Sequence, residues 1–287
     1  MLGSGVYREL RNDYELVLAD DSSQKLQLLE KAYGSSRSST FIPYDPTDHY
    51  SEYVRRSSSS TDYLSRFIEE AGAIDYVINT ISLGVSESTQ DPGLAFFINS
   101  ALPHLLATHY GPKLIHATTD CVYNGKNDYP YDEKSTKDPV DIYGLSKSMG
   151  EPVNSLILRT SIIGRELKGF TGLLEWFLRQ NGKSLKGFTK HFWNGITATA
   201  FGRVCVLIMN RPEDYPKQGI YHIYSTTISK YEMLQKFKHR YNVDCEIEAD
   251  ASSNLNRSLC TNYSFNNDLK IPSFDQMLDE MPDFTTT

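Results

Sequence analysis

The sequence has few cysteines: Cys121, Cys205, Cys245 and Cys260 are the four in its 287 residues. They lie far apart, and none belongs to a CxxC pair or a Cys/His cluster. Zinc sites and disulfide frameworks both need cysteines at characteristic spacings. We therefore expect buried or incidental thiols and no metal site.

Long hydrophobic runs and an excess of basic charge are also missing. No apolar run approaches the roughly 18 residues that can span a bilayer, and the first residues have neither a basic n-region nor an apolar h-region. Asp and Glu (36) outnumber Lys and Arg (29), for a formal charge of -7, which argues against a nucleic-acid partner. We predict a cytoplasmic protein that binds neither membranes nor nucleic acid.

What the sequence does contain is an alternation of strand-like and helix-like segments. Apolar runs rich in β-branched residues predict strands at Glu15 to Ala19, Thr40 to Tyr44, Asp75 to Thr80, Lys113 to Thr118 and Ser155 to Thr160. Helical stripes between them are typical of a parallel sheet with helices on both faces. We predict an α/β fold, a Rossmann-like doubly wound sheet with a smaller mixed C-terminal lobe.

The predicted domain division follows from this pattern. Residues 1–157 should form a dinucleotide-binding domain, and residues 158–287 should form mainly a substrate-binding lobe, with residues 219–224 returning to the main sheet. Two serine-rich tracts, Ser35 to Thr40 and Ser57 to Thr61, predict loops within the first domain.

Local signals refine two helices. Pro103 should kink the helix that contains it, and Ser229 with Glu232 has the pattern of a capping box that opens another helix.

The N-terminal segment has only part of a dinucleotide-binding signature. Gly3 precedes a predicted helix, but only Met1 and Leu2 stand before it, where a dinucleotide fold places a strand. Gly3 is thus either part of a flexible N-terminus or the end of a pyrophosphate-binding turn.

The acidic residue at the end of the next predicted strand, Asp20, has two interpretations. It stands where a carboxylate would hold an adenosine ribose 2′-OH, or it caps the helix that Ser22 and Ser23 introduce. In the first case it favours NAD slightly over NADP, because a carboxylate would repel a 2′-phosphate.

The stretch from Lys113 to Glu151 carries most of the readable chemistry. Ligands bind beyond the carboxyl ends of parallel strands, which places Thr118, Thr119 and Asp120 at the predicted site. Tyr143 and Lys147 are four residues apart, so they share one face of a helix.

Thr119, Tyr143 and Lys147 suit the reduction of a ketone. A tyrosine is a poor acid near neutral pH unless a positive charge stabilises its phenolate, and Lys147 could supply that charge. Thr119 could hold a carbonyl oxygen while Tyr143 donates a proton. Tyr-x-x-x-Lys alone is also common on solvated helix faces, so the preceding Thr-Thr-Asp strand end gives the pattern its specificity.

Several segments together resemble a known family. They are His116-Ala-Thr-Thr-Asp-Cys-Val-Tyr-Asn-Gly125, Pro130-Tyr-Asp-Glu133, Tyr143-Gly-Leu-Ser-Lys147, Gly150-Glu151, Leu158-Arg-Thr-Ser-Ile-Ile-Gly164 and Trp193-Asn-Gly-Ile-Thr197. The sequence resembles the extended short-chain dehydrogenase/reductase superfamily, in the dTDP-4-dehydrorhamnose reductase branch. The resemblance implies NAD(P)-dependent reduction of a nucleotide-linked 4-keto-6-deoxysugar, with Thr119, Tyr143 and Lys147 as the catalytic set.

The resemblance also implies binding roles. Asp120, Trp193 and Thr197 would face the sugar nucleotide, and Asn79 and Asn99 would lie near the cofactor. Asn99 has a second interpretation, a hydrogen bond that satisfies a local backbone group. The predicted cofactor site, for NADP or NAD, contains Gly3, Asp20, Asp45, Asn79, Asn99, Tyr143 and Lys147, and the protein could form a homodimer.

Two departures from the family pattern keep other functions open. The family's Gly-x-x-Gly-x-x-Gly loop follows a first strand, but here Gly3 matches only its last glycine. Ile162 stands where the rhamnose reductases carry a tryptophan. The alternatives are a non-catalytic binding protein on the same scaffold, resembling the regulatory β subunit of methionine adenosyltransferase, and a sugar-nucleotide epimerase or dehydratase.

Overall fold

The structure, a computed structural model, describes residues 1–55 and 63–283. The predicted loop at Ser57 to Thr61 lies outside the described residues. The strands are β1 (Glu15–Asp20), β2 (Ser38–Pro43), β3 (Val77–Asn79), β4 (Leu114–Thr119), β5 (Leu156–Thr160), β6 (Ile162–Ile163), β7 (Lys183–Phe188), β8 (His191–Trp193), β9 (Ile196–Thr197), β10 (Gly219–His222), β11 (Ile228–Ser229), β12 (Cys245–Asp250) and β13 (Leu255–Asn256).

The helices cover the connections between these strands. They are α1 (Leu2–Leu10), α2 (Ser23–Tyr33), α3 (Pro46–Arg55), α4 (Tyr63–Ala71), α5 (Val85–Gln90), α6 (Pro92–Phe96), α7 (Leu102–Tyr110), α8 (Ile142–Met149), α9 (Leu173–Leu178), α10 (Ala198–Asn210), α11 (Lys230–Tyr241), α12 (Phe265–Asp268) and α13 (Phe274–Asp279). Across residues 1–55 and 63–283, no helix combines the length and apolarity that crossing a bilayer requires.

Parallel strands form the centre of the molecule. One sheet has the order β10-β5-β4-β3, and β1 and β2 form a separate parallel pair. Every residue of β4 and β5 is buried, as expected for strands covered by helices on both faces. The predicted parallel α/β fold is confirmed.

Two apolar clusters cover the opposite faces of the main sheet. On one face Ile115 of β4 packs in a cluster with Val6 of α1 and Phe201 of α10, and Leu16 of β1 joins the same cluster. On the other face Leu114 packs with residues of α4 and α7. One core therefore connects both sheets, although β1 and β3 are not paired with each other in the described chain.

Helix α1 packs tightly against α10. A Cβ atom on Gly5 would lie 2.3 Å from the carbonyl oxygen of Ala198, which is closer than real Cβ contacts allow. Only glycine fits this crossing. The sequence predicted a helix here, but the prediction that Gly3 precedes it is wrong, because α1 begins at Leu2 and contains both Gly3 and Gly5.

A second core lies in the C-terminal part of the chain. It contains Phe177, Trp193, Phe237 and Phe274, and it is flanked by the pair β12-β7 and the three-stranded sheet β11-β8-β13. Strand β8 pairs antiparallel with β11 and parallel with β13. The proposed boundary between residues 157 and 158 stays a prediction.

The helix around Pro103 is irregular. A π-helical turn, Phe97–Ala101, separates α6 from α7. Proline cannot donate to the carbonyl four residues before it, and here that residue is Asn99. A Cβ on Gly150 would lie 1.8 Å from this carbonyl oxygen, so the end of α8 comes very close to the π-helical turn.

The loop predicted at Ser35 to Thr40 is only partly correct. Ser38 to Thr40 belong to β2, because they pair in parallel register with Glu15 to Val17 of β1. Tertiary pairing overrides the loop preference of serine here. The capping box of Ser229 and Glu232 is confirmed at the start of α11.

Candidate active site

The candidate site begins at the carboxyl end of β4, where the strand passes into a short 3-10 turn. The Thr119 hydroxyl accepts a hydrogen bond from the Cys121 backbone N–H at 3.1 Å and lies 3.2 Å from Asp120 Oδ1. Both Thr119 and Asp120 are buried. Burial raises the pKa of Asp120, although the positive charge of Arg257 and a hydrogen bond from Thr119 oppose this rise.

Helix α8 brings Tyr143 to Thr119. Asp141 caps the helix by accepting the Gly144 N–H at 2.7 Å, and a Cβ on Gly144 would lie 2.3 Å from the Cys121 carbonyl oxygen. The first turn of α8 therefore rests directly on the segment after β4. The Thr119 side chain hydrogen-bonds to Tyr143.

The ionisation of Tyr143 differs from the sequence prediction. We expected the ammonium of Lys147 to lower the phenol pKa, but the pKa of Tyr143 is raised, chiefly by burial, while hydrogen bonding with Thr119 lowers it. Lys147 Nζ donates to the Ala117 carbonyl at 2.9 Å. Tyr143 is therefore a neutral proton donor at neutral pH.

Lys147 is a buried cation. Burial lowers its pKa to about 8, and the negative charge of Glu151 opposes this shift. The same ammonium acts on His116 of β4, whose pKa is well below 6.5 because of its burial first and the charge of Lys147 second. Lys147 thus changes its charge within the range in which enzymes are assayed.

A buried ionic cluster supports the end of α8. Glu151 accepts from Arg159 Nε at 2.7 Å and Nη2 at 2.6 Å, and from Lys137 Nζ at 3.1 Å. Arg159 also donates to the Tyr123 hydroxyl at 2.7 Å. Sequence analysis did not assign this cluster a function, although an arginine within an otherwise apolar strand was a signal that a buried partner exists.

The two predicted cofactor asparagines are tied into the protein. Asn99 Nδ2 donates to Ser146 Oγ of α8 at 3.1 Å, and its Oδ1 accepts the Leu83 N–H at 3.0 Å. Asn79 Nδ2 lies 3.1 Å from His116 Nδ1. Asn99 therefore satisfies a backbone group, as its alternative interpretation described, and Asn79 is bonded to a side chain of β4.

Beside them, two buried polar atoms, Thr118 Oγ1 and His116 Nε2, have no hydrogen-bond partner among the described residues. These atoms lie on the strand that carries Thr119.

The other predicted cofactor residues lie at the carboxyl ends of β1, β2 and β3. A Cβ on Gly3 would be 3.0 Å from Thr80 Oγ1, just beyond β3. Asp20 ends β1 and forms an ion pair with Lys25 at 2.6 Å. Asp45 follows β2 and accepts the Thr47 N–H at 2.7 Å. Ser22, not Asp20, caps α2, so the capping interpretation of Asp20 is wrong.

Trp193 and Thr197, predicted to face the substrate, are largely inside the protein. Trp193 is 5% exposed and its ring centroid is 5.7 Å from that of Phe274. Thr197 is 1% exposed, and its hydroxyl caps α10 by accepting the Ala200 N–H at 3.2 Å. Lys230 lies between the two predicted substrate residues: its Nζ is 5.9 Å from the centroid of the Trp193 ring, and its charge acts on the Asp120 carboxyl group.

Comparison with known proteins places the chain in a family. The family of the RmlD substrate binding domain matches residues 61–263. The spore coat polysaccharide biosynthesis protein SpsK of Bacillus subtilis (strain 168) is 35% identical over 95 residues, 32% of this chain and 34% of that protein. The dTDP-4-dehydrorhamnose reductase of Escherichia coli (strain K12) is 29% identical over 120 residues, 36% of this chain and 40% of that protein. The matches thus span between 34% and 40% of these curated relatives.

A solved structure shows the same fold over most of the chain. The dTDP-4-dehydrorhamnose reductase of Bacillus anthracis str. Ames, in complex with NADP, superimposes with a TM-score of 0.65 at 17% identity, covering 95% of this chain and 98% of the other. The fold is therefore Rossmann-like, as predicted. The family model matches more than half of the sequence. The chain therefore belongs to the family of the RmlD substrate binding domain, in the dTDP-4-dehydrorhamnose reductase-like branch of the extended short-chain dehydrogenases/reductases.

Proposed function

We propose that this protein reduces the keto group of a nucleotide-linked 4-keto-6-deoxysugar with NADPH or NADH. The observation that supports the proposal is the interaction of Tyr143 with Thr119 at the end of β4, with Lys147 one helical turn further along α8 bonded to Ala117 of the same strand. A neutral phenol and a hydroxyl, side by side, are suited to receiving a ketone oxygen. The family membership and the reductase relative from Escherichia coli support the same reaction.

The side chains near the carboxyl ends of β1, β3 and β4 fit a dinucleotide cofactor. Thr118 Oγ1 and His116 Nε2 are buried without a partner among the described residues, and such atoms are normally satisfied by a ligand or water. Gly3, in the first turn of α1, and Asp20 would hold the phosphate and ribose portions. Because Lys25 pairs with Asp20, the carboxylate discriminates less strongly against NADP than the sequence predicted.

When bound by these residues, a nicotinamide cofactor would supply the hydride that the ketone carbon requires. Tyr143 transfers its phenolic proton to the carbonyl oxygen, so that the ketone becomes an alcohol. Thr119 donates a hydrogen bond to the same oxygen and orients it. Lys147 stabilises the phenolate left on Tyr143 until that oxygen regains a proton from solvent.

Two measurements test this proposal. NADH and NADPH are titrated separately into the protein while nicotinamide fluorescence is followed, and turnover of dTDP-4-dehydrorhamnose is then measured by oxidation of the cofactor. We expect saturable binding and turnover. If neither NADH nor NADPH binds, the reductase function is refuted. Binding without turnover would favour the non-catalytic binding protein.

The pH dependence of turnover should reveal Lys147. Its folded-state pKa of about 8 lies below the ordinary value of 10.5. We expect kcat to fall as the pH rises through about 8, because the ammonium that stabilises the phenolate is lost. The same shift affects stability. Between pH 8 and pH 10.5, approximately, the free energy of unfolding should rise with pH, because Lys147 keeps its proton in the unfolded chain and has lost it in the folded protein.

Lys147→Arg is the matching variant for this profile. Arginine stays charged throughout the range, so any remaining activity should lack the decline near pH 8. If kcat still declines near pH 8 in Lys147→Arg, the decline must come from the titration of another group.

The proposal also covers location and assembly. A sugar-nucleotide reductase of this type would act in the cytoplasm, and sedimentation of the purified protein would test the predicted homodimer.

A further inference from the structure

Two basic side chains from the C-terminal part of the chain face the candidate active site. Arg257 follows β13, and its guanidinium donates to the Tyr123 carbonyl at 2.9 Å and contacts Cys121 Sγ at 3.4 Å. Lys230 is the first residue of α11, and its Nζ lies 5.9 Å from the centroid of the Trp193 ring. Both positive charges act on Asp120, where they oppose the rise of its pKa that burial causes.

Neither cation has a carboxylate within ion-pair distance in the part of the chain that the structure describes. Two other basic residues of α11 do have carboxylate partners. Lys236 pairs with Asp275 at 2.5 Å, and Arg240 pairs with Asp283 at 2.8 Å. Lys230 and Arg257 instead share the influence of one buried carboxylate, Asp120, so positive charge is in excess at this place.

Their partial burial makes this excess notable. Both side chains are only partly exposed, and burial lowers the pKa of Lys230. Arg257 donates to a backbone carbonyl and Lys230 Nζ lies 3.9 Å from Met233 Sδ, but a partly buried cation without a carboxylate partner is still unfavourable. An anionic ligand would relieve this cost, and phosphate groups match both a guanidinium fork and an ammonium.

The placement relative to Thr119 identifies the kind of anion. Arg257 contacts Cys121 and Tyr123, the second and fourth residues after Thr119. In a nucleotide-linked 4-keto sugar the diphosphate is attached to C1, across the ring from the reacting C4. With the ketone at Thr119 and Tyr143, the diphosphate would therefore lie about one sugar ring away, towards Lys230 and Arg257.

We propose that Lys230 and Arg257 bind the diphosphate of the sugar nucleotide and thereby position the keto group against Tyr143. This inference rests on the proposed reductase function for its orientation, but the binding of a nucleoside diphosphate can be measured without turnover.

The test uses dTDP and thymidine as probes, titrated into the full chain by calorimetry. In Lys230→Met and Arg257→Met we expect the Kd for dTDP to rise about 10- to 100-fold, the usual effect of losing a charge-assisted hydrogen bond. The affinity for thymidine and for NADPH should not change. Lys236→Met, on the same helix, serves as the control and should bind dTDP like the unmodified protein.

Charge-conserving variants separate recognition from folding. Lys230→Arg and Arg257→Lys should keep most of the affinity for dTDP, and dTDP affinity should fall with added salt. Unchanged dTDP binding in both methionine variants, or no binding of dTDP by the unmodified chain, would overturn the inference.

The binding test is also independent of the reductase test. Selective loss of dTDP binding in the methionine variants, in a protein that never turns over a keto sugar, would leave this site standing and remove the reductase function.

Discussion

Replacing Tyr143 by phenylalanine is expected to lower kcat by about 10²- to 10⁴-fold, the usual contribution of a general acid. The substitution removes only the hydroxyl that hydrogen-bonds to Thr119 and leaves the ring in place. Because the pKa of Tyr143 is raised, the neutral phenol is present at neutral pH to donate its proton, and phenylalanine cannot. Single-turnover kinetics with the keto sugar would measure this loss.

Binding measurements complete the experiment. Tyr143→Phe should bind NADPH and dTDP nearly as well as the unmodified protein, because the hydroxyl is needed in the reaction rather than to hold these ligands. Tyr129→Phe is the matched control, since Tyr129 is 40% exposed and is expected to be silent. Full activity in Tyr143→Phe would remove this residue from the mechanism.

Replacing Arg159 by methionine is expected to reduce the free energy of unfolding by about 3–5 kcal/mol, the typical effect of breaking a buried ion pair. Arg159 is 2% exposed and gives two hydrogen bonds to Glu151 and one to Tyr123. Its loss would leave a buried carboxylate whose remaining cation is Lys137. Urea denaturation of the variant would measure the change.

The double variant Arg159→Met/Glu151→Gln separates the charge from the packing. Removing both charges should recover a large part of the lost stability, because the uncompensated carboxylate is gone. Arg203→Met is the surface control. Arg203 is 38% exposed in its ion pairs with Glu9 and Glu280, so we expect a change below about 1 kcal/mol. If Arg159→Met and Arg203→Met lower the free energy of unfolding equally, the buried ion pair does not have the stabilising role assigned to it.

The pH dependence of this cluster has a definite sign. Burial alone would raise the pKa of Glu151, but the bonds from Arg159 and Lys137 hold it below its ordinary value of 4.5. A carboxyl group with a lowered folded-state pKa stabilises the protein above the unfolded-state value, and this contribution is lost as the pH falls through the folded-state pKa. The acid limb of the stability curve should therefore flatten in the double variant.

Much of the fold could be predicted because its signals are local. The apolar run predicted as a strand at Lys113 to Thr118 became β4 (Leu114–Thr119), and Ser229 with Glu232 formed the predicted capping box. Each depends on residues that are neighbours along the chain. The spacing of Tyr143 and Lys147 likewise placed both on α8 without knowledge of any distant contact.

The predicted boundaries of structural elements were wrong where pairing with a distant strand determined them. Ser38 to Thr40 have the composition of a loop, but pairing with β1 makes them a strand. Trp193 and Thr197 were predicted from a motif to face the substrate, whereas packing against Phe274 and the capping of α10 bury them. Their roles in substrate binding stay predictions.

By itself the sequence determined the alternation of strands and helices, the position of Thr119 at a strand end and the helical spacing of Tyr143 and Lys147. Only the tertiary structure decided the charges around them. Arg257 reaches Cys121 across 136 residues of sequence, and the raised pKa of Tyr143 follows chiefly from its burial in the folded protein. Electrostatic energies depend on distance and solvent exposure in space, and spacing along the chain contains neither.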